Sequence, residues 1–318
     1  MHREMETPGV AAGAGNRYAH AAAGPIDARG LTLHLHGRWH GRYGVAPCPC
    51  CQPEARRDQC ALTLADGANG RLLAHCKKSG CGFRDILAAA GLAPGDYRAP
   101  DPAEIARREA EERAQAAKRA AQARAIWHEA RRIEGTLAER YLRGRGITAP
   151  LPRVLRFHPE CWNAAAARRL PALVAAVQGA AGPAVHRTWL REDGCGKAAV
   201  EPAKAALGST QGGAVRLADG PDGLAVAEGI ETALALASGL LRGRPAVWAC
   251  LGTAGMAGLR LPSAPGKLTV ATDGDAPGRA AGHHLAERAS ALGWEVSLLP
   301  APEGADWCDV LVLGRASA

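Results

Sequence analysis

The sequence predicts a multidomain α+β protein: an N-terminal cysteine-bearing β-ribbon, a helical linker, and a mixed α/β core that ends in a C-terminal α/β domain. Three observations carry this. Cysteines fall in two close pairs, Cys48 with Cys51 and Cys76 with Cys81, around a stretch that alternates like a hairpin. The run over 101–132 is Ala-rich with charges of both signs, as in a solvated helix. From residue 224 onward, short apolar runs alternate with stretches of helical periodicity, the pattern of a parallel sheet.

Composition bounds the chain before any motif does. With 318 residues, 47% of them apolar and 22% charged, it can bury a sizeable core. A chain of this length and composition is expected to fold as about two domains. No run approaches the ~18 uncharged apolar residues of a membrane helix, and the opening MHREMETPGV lacks a signal-peptide core, so a soluble cytoplasmic protein with no membrane partner is expected. The first thirty residues are rich in Ala and Gly and are expected to be disordered (1–30). Basic residues exceed acidic ones by 4 over 1–100 and by 7 over 101–220, while acidic residues are in excess by 3 over 221–318. A basic body beside an acidic end suits a protein that neutralises nucleic-acid phosphates and collects a divalent cation.

Within the expected ribbon (31–97) fall six of the chain's ten cysteines, a clustering that favours metal binding over a disulfide scaffold. Cys48 and Cys51 form a CxxC, and Cys76 and Cys81 form a slightly wider second pair. CALTLAD and GRLLAHC read as two strands joined by a turn at 67–70, the hairpin that brings two thiolate knuckles onto one tetrahedral Zn²⁺. Cys50, Cys60 and His75 compete as ligands on spacing alone. The linker follows (98–132), read as a solvated helix because its charges are mixed. In the basic region (133–218), Arg187, Arg191, Lys197 and Lys204 flank a Gly-containing loop and are placed to converge on phosphates of a nucleotide or template.

The last region (219–318) carries the acids. LAVAEGIETALALASGL drives a four-residue apolar strand into Glu228, and KLTVATDGDAPGRAA drives another into Asp273 and Asp275. Between them lies AVWACL, and after them EVSLLP and a closing acidic segment with Asp306 and Asp309. In open α/β sheets, ligands bind at the carboxyl ends of strands, and carboxylates held close together suit a hard cation such as Mg²⁺. A turn plus a helix N-cap would equally account for Asp-Gly-Asp, so its role stays open on the local sequence.

Glu228 in VAEGIETALA, Asp273 and Asp275 in ATDGDAPG and the closing acidic pair together resemble the Toprim domain shared by bacterial-type primases, type IA and type II topoisomerases and some nucleases. Primase-like relatives of mobile-element type usually carry Asn before the last Asp, where this chain has Cys308. GRWHGRYG ahead of CPCC, and RDILAAAGL after CGF, are similar to the CHC-type zinc ribbon of bacterial and phage-like primases. Cys51 stands where those relatives often have His, an exchange Zn²⁺ tolerates. AERYLRGRGI is similar to the opening of the primase core, and AVHRTWLREDGCGKAAVEPAK to its basic subdomain, so the resemblance spans about 31–318.

The resemblance implies an N-terminal zinc β-ribbon, a helical linker and a primase core ending in a Toprim domain. It implies a DNA primase-like nucleotidyltransferase acting on single-stranded DNA and nucleoside triphosphates, with structural Zn²⁺ on Cys48, Cys51, Cys76 and Cys81. Catalytic Mg²⁺ or Mn²⁺ would sit on Glu228, Asp273 and Asp275 with Asp306 and Asp309, and Trp39, Tyr43 and Trp189 would offer stacking surfaces. A Toprim nuclease, or an inactive DNA-binding replication accessory protein, are the alternatives. No GxxxxGK[ST] occurs, so a separate replicative helicase is the expected partner.

Overall fold

The alternating apolar pattern of residues 62–66 and 72–76 becomes the centre of an antiparallel sheet in the computed structural model, which describes residues 26–56, 58–67, 70–93 and 95–316. The chain divides between Glu112 and Arg113 into two compact units. The expected disordered segment falls largely outside the described residues. Its last residues are in place: Asp27 caps α1 (Ala28–His34) by accepting the N–H of Gly30 at 2.6 Å, and Ile26 forms a bridge with Tyr97.

In the first unit β1 (Arg38–Trp39), β2 (Gly44–Ala46), β3 (Leu62–Asp66) and β4 (Leu72–Cys76) pair in sequence order, all antiparallel. Leu62 and Leu64 on β3 point to one face and meet Leu31 of α1, Leu35 at its C-terminal end and Ile86 of α2 (Phe83–Ala89) in a single core. Period-two alternation puts every second strand residue on that face, and each fully buried Leu or Ile contributes about 1.5–3 kcal/mol. The long helix α3 (Pro102–Glu129) is exposed along most of its length. Its last turns bury Ala123 and pack Ile126 and Trp127 against the second unit's first sheet.

That sheet is built from β5 (Arg131–Arg132), β6 (Leu155–Asn163), β7 (Arg168–Val177), β8 (Ala184–Trp189) and β9 (Lys204–Leu207), antiparallel and in sequence order, with α4 (Leu137–Gly144) between β5 and β6. The second sheet has the order β10-β12-β11-β13-β14, from β10 (Val215–Pro221), β11 (Leu224–Ala227), β12 (Pro245–Ala249), β13 (Lys267–Thr272) and β14 (Glu295–Pro300). Only the edge strand β10 runs antiparallel. α5 (Ile230–Ala235), α6 (Thr253–Ala257), α7 (Ala276–Ala291) and α8 (Trp307–Ala316) complete this α/β domain.

All four residues of β11 are buried, as a central parallel strand covered on both faces requires. Ala225 and Ala227 pack with α5 and with Leu173 and Ala175 of β7, so one core joins the two sheets. Leu224 and Val226 face the opposite way, toward Leu285 and Ala289 of α7. This arrangement stacks the carboxyl ends of β11 and β13 beside α5 and the β8–β9 edge. Among the described residues no helix is long and apolar enough to cross a membrane.

Candidate active site and metal centre

In the second unit, a cleft of about 430 Å³ opens where β11 and β13 end. Glu228, Glu231, Thr232, Asp273 and Asp306 line it from the α/β domain, and Arg145, His186, Lys197 and Lys204 from the basic side. Glu228 follows β11 directly. Burial first, and then the charges of Asp273 and Asp275, hold its carboxyl up at about 7, and its buried Oε2 has no hydrogen-bond partner. Asp273 is also raised, by burial and then by Asp306, although it accepts a hydrogen bond from Thr232 Oγ1 at 3.3 Å. Carboxylates crowded together, with the Glu228 Oε2 left without a donor, are what a bound cation would relieve.

The Asp-Gly-Asp pair divides. Asp273 lines the cleft, whereas Asp275 is exposed and accepts the N–H of Gly278 at 2.7 Å, capping α7. The closing pair divides as well, and it stands at a helix start rather than a strand end. Asp306 and Asp309 each accept the other's backbone N–H, at 2.9 and 3.1 Å, and so close the first turn of α8. Asp306 also takes Arg145 at 3.0 Å and lines the cleft.

The four basic residues do not converge. Lys197 and Lys204 line the cleft, with their ammonium groups 3.8 and 3.0 Å from Glu231. β8 alternates, however, and sends His186 to the cleft and Arg187 to the opposite face, where its guanidinium stacks 4.8 Å over Trp189. Arg191 is exposed in the following hairpin and pairs with Asp193 at 2.6 Å. Trp189 is no stacking platform: it is 2% exposed and its Nε1 donates to Cys161 O. Tyr43 is exposed and stacks on His40, and Trp39 is half-buried.

Sequence reasoning missed Glu231, Tyr141, His186 and Arg145. Glu231 is 5% exposed and accepts the phenol of Tyr141 at 2.8 Å and Lys204 Nζ at 3.0 Å. Burial would raise its pKa, but Lys204 and then Lys197 outweigh it and hold the carboxyl at about 2. His186 is 9% exposed, and burial drives it down to about 4, so it is neutral at pH 7. The signal for Glu231 was present: in a helix entered at Ile230, the first turn faces the same strand ends as Glu228.

In the first unit Cys48, Cys51, Cys76 and Cys81 bring their sulfurs to within 4.8 Å of one another, and they are the one metal-competent set of three or more His, Cys, Asp or Glu among the described residues. A tetrahedron of Zn–S bonds of ~2.3 Å has S···S edges of roughly 3.8 Å, which this cluster fits. Cys51 and Cys76 sulfurs lie 3.6 Å apart. Cys76 is held at about 6 despite its burial, because the backbone N–H groups of Ser79, Cys81 and Lys78 point at its sulfur. Cys60 and His75 are exposed outside the cluster, and Cys50 is half-buried beside it. Gln52 Oε1 accepts the N–H groups of Cys48 and Ala61 at 3.2 and 3.0 Å and ties the first knuckle to the hairpin.

Residues 223–316 match the family described as Toprim domain, and residues 117–217 match a domain of unknown function, DUF7146. The C-terminal sheet with Glu228 and Asp273 is thus a Toprim domain. No match is found among the curated proteins. Solved structures similar to this chain include the zinc-binding and RNA polymerase domains of the Aquifex aeolicus primase, at 15% identity over 90% of this chain and 80% of that one, TM-score 0.40. A DNA primase domain from Pseudomonas aeruginosa is 19% identical over 62% and 77% of the two chains, TM-score 0.37. The RNA polymerase domain of Mycobacterium tuberculosis primase DnaG is 20% identical over 64% and 80%, TM-score 0.37.

Proposed function

We propose that this chain is a DNA primase-like nucleotidyltransferase that joins nucleoside triphosphates into short primers on a single-stranded DNA template. The observation that carries the reading is the two-walled cleft: the Toprim carboxylates Glu228, whose buried Oε2 has no partner, and Asp273 on one side, and Lys197, Lys204 and Arg145 on the other. Glu228 and Asp273, with Asp306 beside them, are the residues that would hold Mg²⁺ or Mn²⁺. The crowding of these acids and the unpartnered Oε2 of Glu228 fit such a cation, which would supply stabilisation of charge on phosphate oxygens.

The protein's own contributions follow from the walls. Lys197 and Lys204 seat the phosphates of the incoming nucleotide. Glu228 can act as a ligand or, with its pKa held near 7, accept the proton of an attacking 3′-hydroxyl. Asp275 and Asp309, expected as ligands, each also cap a helix start through one carboxylate oxygen. The four-cysteine cluster is read as a structural Zn²⁺ site whose metal holds its ribbon together. The lysine pair favours synthesis over cleavage, because a nuclease attacking a phosphodiester with water has no triphosphate to seat.

The test is one assay: purified protein, single-stranded DNA, Mg²⁺ and labelled nucleotides. Short new oligomers that disappear in Glu228→Gln and Asp273→Asn support the reading. Cleaved template identifies a nuclease instead, and neither product leaves a binding protein.

A further inference from the structure

Glu231 is a buried carboxylate that three separate elements reach. Tyr141 comes from α4, Lys204 from β9 and Lys197 from the loop before it, while Glu231 stands in the first turn of α5. The pair Lys197 and Lys204 is only partly buried, with side chains 39% and 34% exposed, so each ammonium keeps a side open to the cleft. Burial, and also the charge of Lys204, lower Lys197 despite the opposing charge of Glu231. The remaining carboxylates on the cleft wall are Glu228, Asp273 and Asp306, and Arg145 already holds Asp306. Lysines released from Glu231 would therefore fall on Glu228 and Asp273, the acids a cation needs free.

We infer that Glu231 is a positioning residue: it fixes Lys197 and Lys204 as a preformed pair for the phosphates of a nucleoside triphosphate and keeps them off Glu228 and Asp273. This rests on the nucleotidyltransferase reading of the cleft. The phenol of Tyr141 orients the anchor. Burial, and then Glu231 itself, push its pKa up, so it stays protonated and donates. Four-carbon lysine stems lose much rotamer freedom when ordered, and an anchor that orders them in advance removes that cost from ligand binding.

The inference has a sign that simple charge counting does not share. Glu231→Gln makes the cleft one unit more positive, so charge counting alone forecasts tighter phosphate binding, whereas loss of positioning forecasts weaker binding. The measurement is calorimetric titration of the full chain with inorganic tripolyphosphate in the absence of divalent cation. Glu231→Gln is expected to weaken binding about tenfold, the size of one charge-assisted hydrogen bond. In a Lys204→Ala background the same substitution should change affinity by no more than about twofold, because the residue it acts through is gone. Equal or tighter binding by Glu231→Gln overturns the inference, and so does an equal loss in both backgrounds, which would mark a general effect on the fold.

If Glu231→Gln alone does not fold, Tyr141→Phe keeps every charge and loosens only the anchor. It is expected to bind severalfold more weakly, and wild-type affinity overturns the inference. Failure of the underlying reading looks different: Lys197→Ala and Lys204→Ala would then themselves bind tripolyphosphate like wild type.

Discussion

Asp275 Oδ1 accepts the backbone N–H of Gly278 at 2.7 Å and closes the first turn of α7, while Asp273, two residues earlier, turns its carboxyl into the cleft beside Thr232. One short motif thus contains an acid that caps a helix and an acid that lines the cleft. Asp273→Asn is expected to fold normally and to lose at least about a hundredfold in rate, the several kcal/mol of charge stabilisation that a cation-binding carboxylate supports. Asp275→Ala is expected to cost about 0.5–2 kcal/mol of stability through the lost cap, and Asp275→Asn, which can still cap, much less. Thermal unfolding and primer synthesis measured on the three proteins separate the roles. Full activity in folded Asp273→Asn would end its catalytic assignment.

Much of this was legible from local pattern, because local pattern decides local structure. The apolar runs ending on Glu228 and Asp273 form parallel strands, and the residues between the cysteine pairs form the hairpin. What was not legible depends on contacts between distant parts of the chain. Tyr141 and Glu231 are 90 residues apart, and Arg145 and Asp306 are 161 apart, so no window of sequence contains either pair. The misplacement of Arg187 and Trp189 has a different cause. Strand alternation puts both on one face of β8, but only the packing of α3 decides which face is covered, and that face carries Trp127 and Ile126.

The cysteine cluster forecasts one tightly held Zn²⁺ per chain. Structural zinc contributes about 10–16 kcal/mol of apparent binding energy in small domains, so loss of one thiolate should release the metal and loosen the ribbon. Elemental analysis is expected to find one zinc in wild type and in Cys60→Ala, whose thiol is exposed outside the cluster, and none in Cys51→Ala. Zinc retained by Cys51→Ala would mean that half-buried Cys50 can take its place.

Stability should depend on pH through His186. Its folded value of about 4 lies below its ordinary 6.5, so between these values the unfolded chain binds the extra proton. The contribution is therefore full above about pH 6.5 and is lost as pH falls toward 4, with a slope of at most about 1.4 kcal/mol per pH unit. Glu228 acts in the opposite sense: held up at about 7 from 4.5, it takes its proton first in the folded state and offsets part of that slope. Comparison of wild type with His186→Gln cancels Glu228. The stability difference between the two is expected to shrink or reverse in favour of the variant as pH drops from 6.5 to 4. Parallel stability curves over that window would place a charged or solvated His186 in the folded protein.

The closest check on the acid cluster uses a residue with no side chain. A Cβ on Gly278 would lie 2.8 Å from Asp275 Oδ1, 3.1 Å from Glu228 Oε2 and 3.2 Å from the backbone oxygen of Asp273. Gly278 is in the first turn of α7, where Ala would ordinarily be the better helix former by about 1 kcal/mol. Gly278→Ala sets that gain against crowding, and the crowding falls on the cap and on Glu228 together. Glu228 must withdraw from the helix end, and its carboxylate then no longer meets Asp273 in the same arrangement. The expected outcome is an unfolding temperature within a few degrees of wild type, since the two effects oppose each other, and a loss of primer synthesis of at least about tenfold, or ~1.4 kcal/mol. Gly282→Ala, one turn further along α7, crowds Thr272 at 2.5 Å and not the acids, and it serves as the control for helix displacement. Equal losses in the two variants would mean that movement of α7 as a whole, and not the position of Glu228 against its first turn, governs the activity.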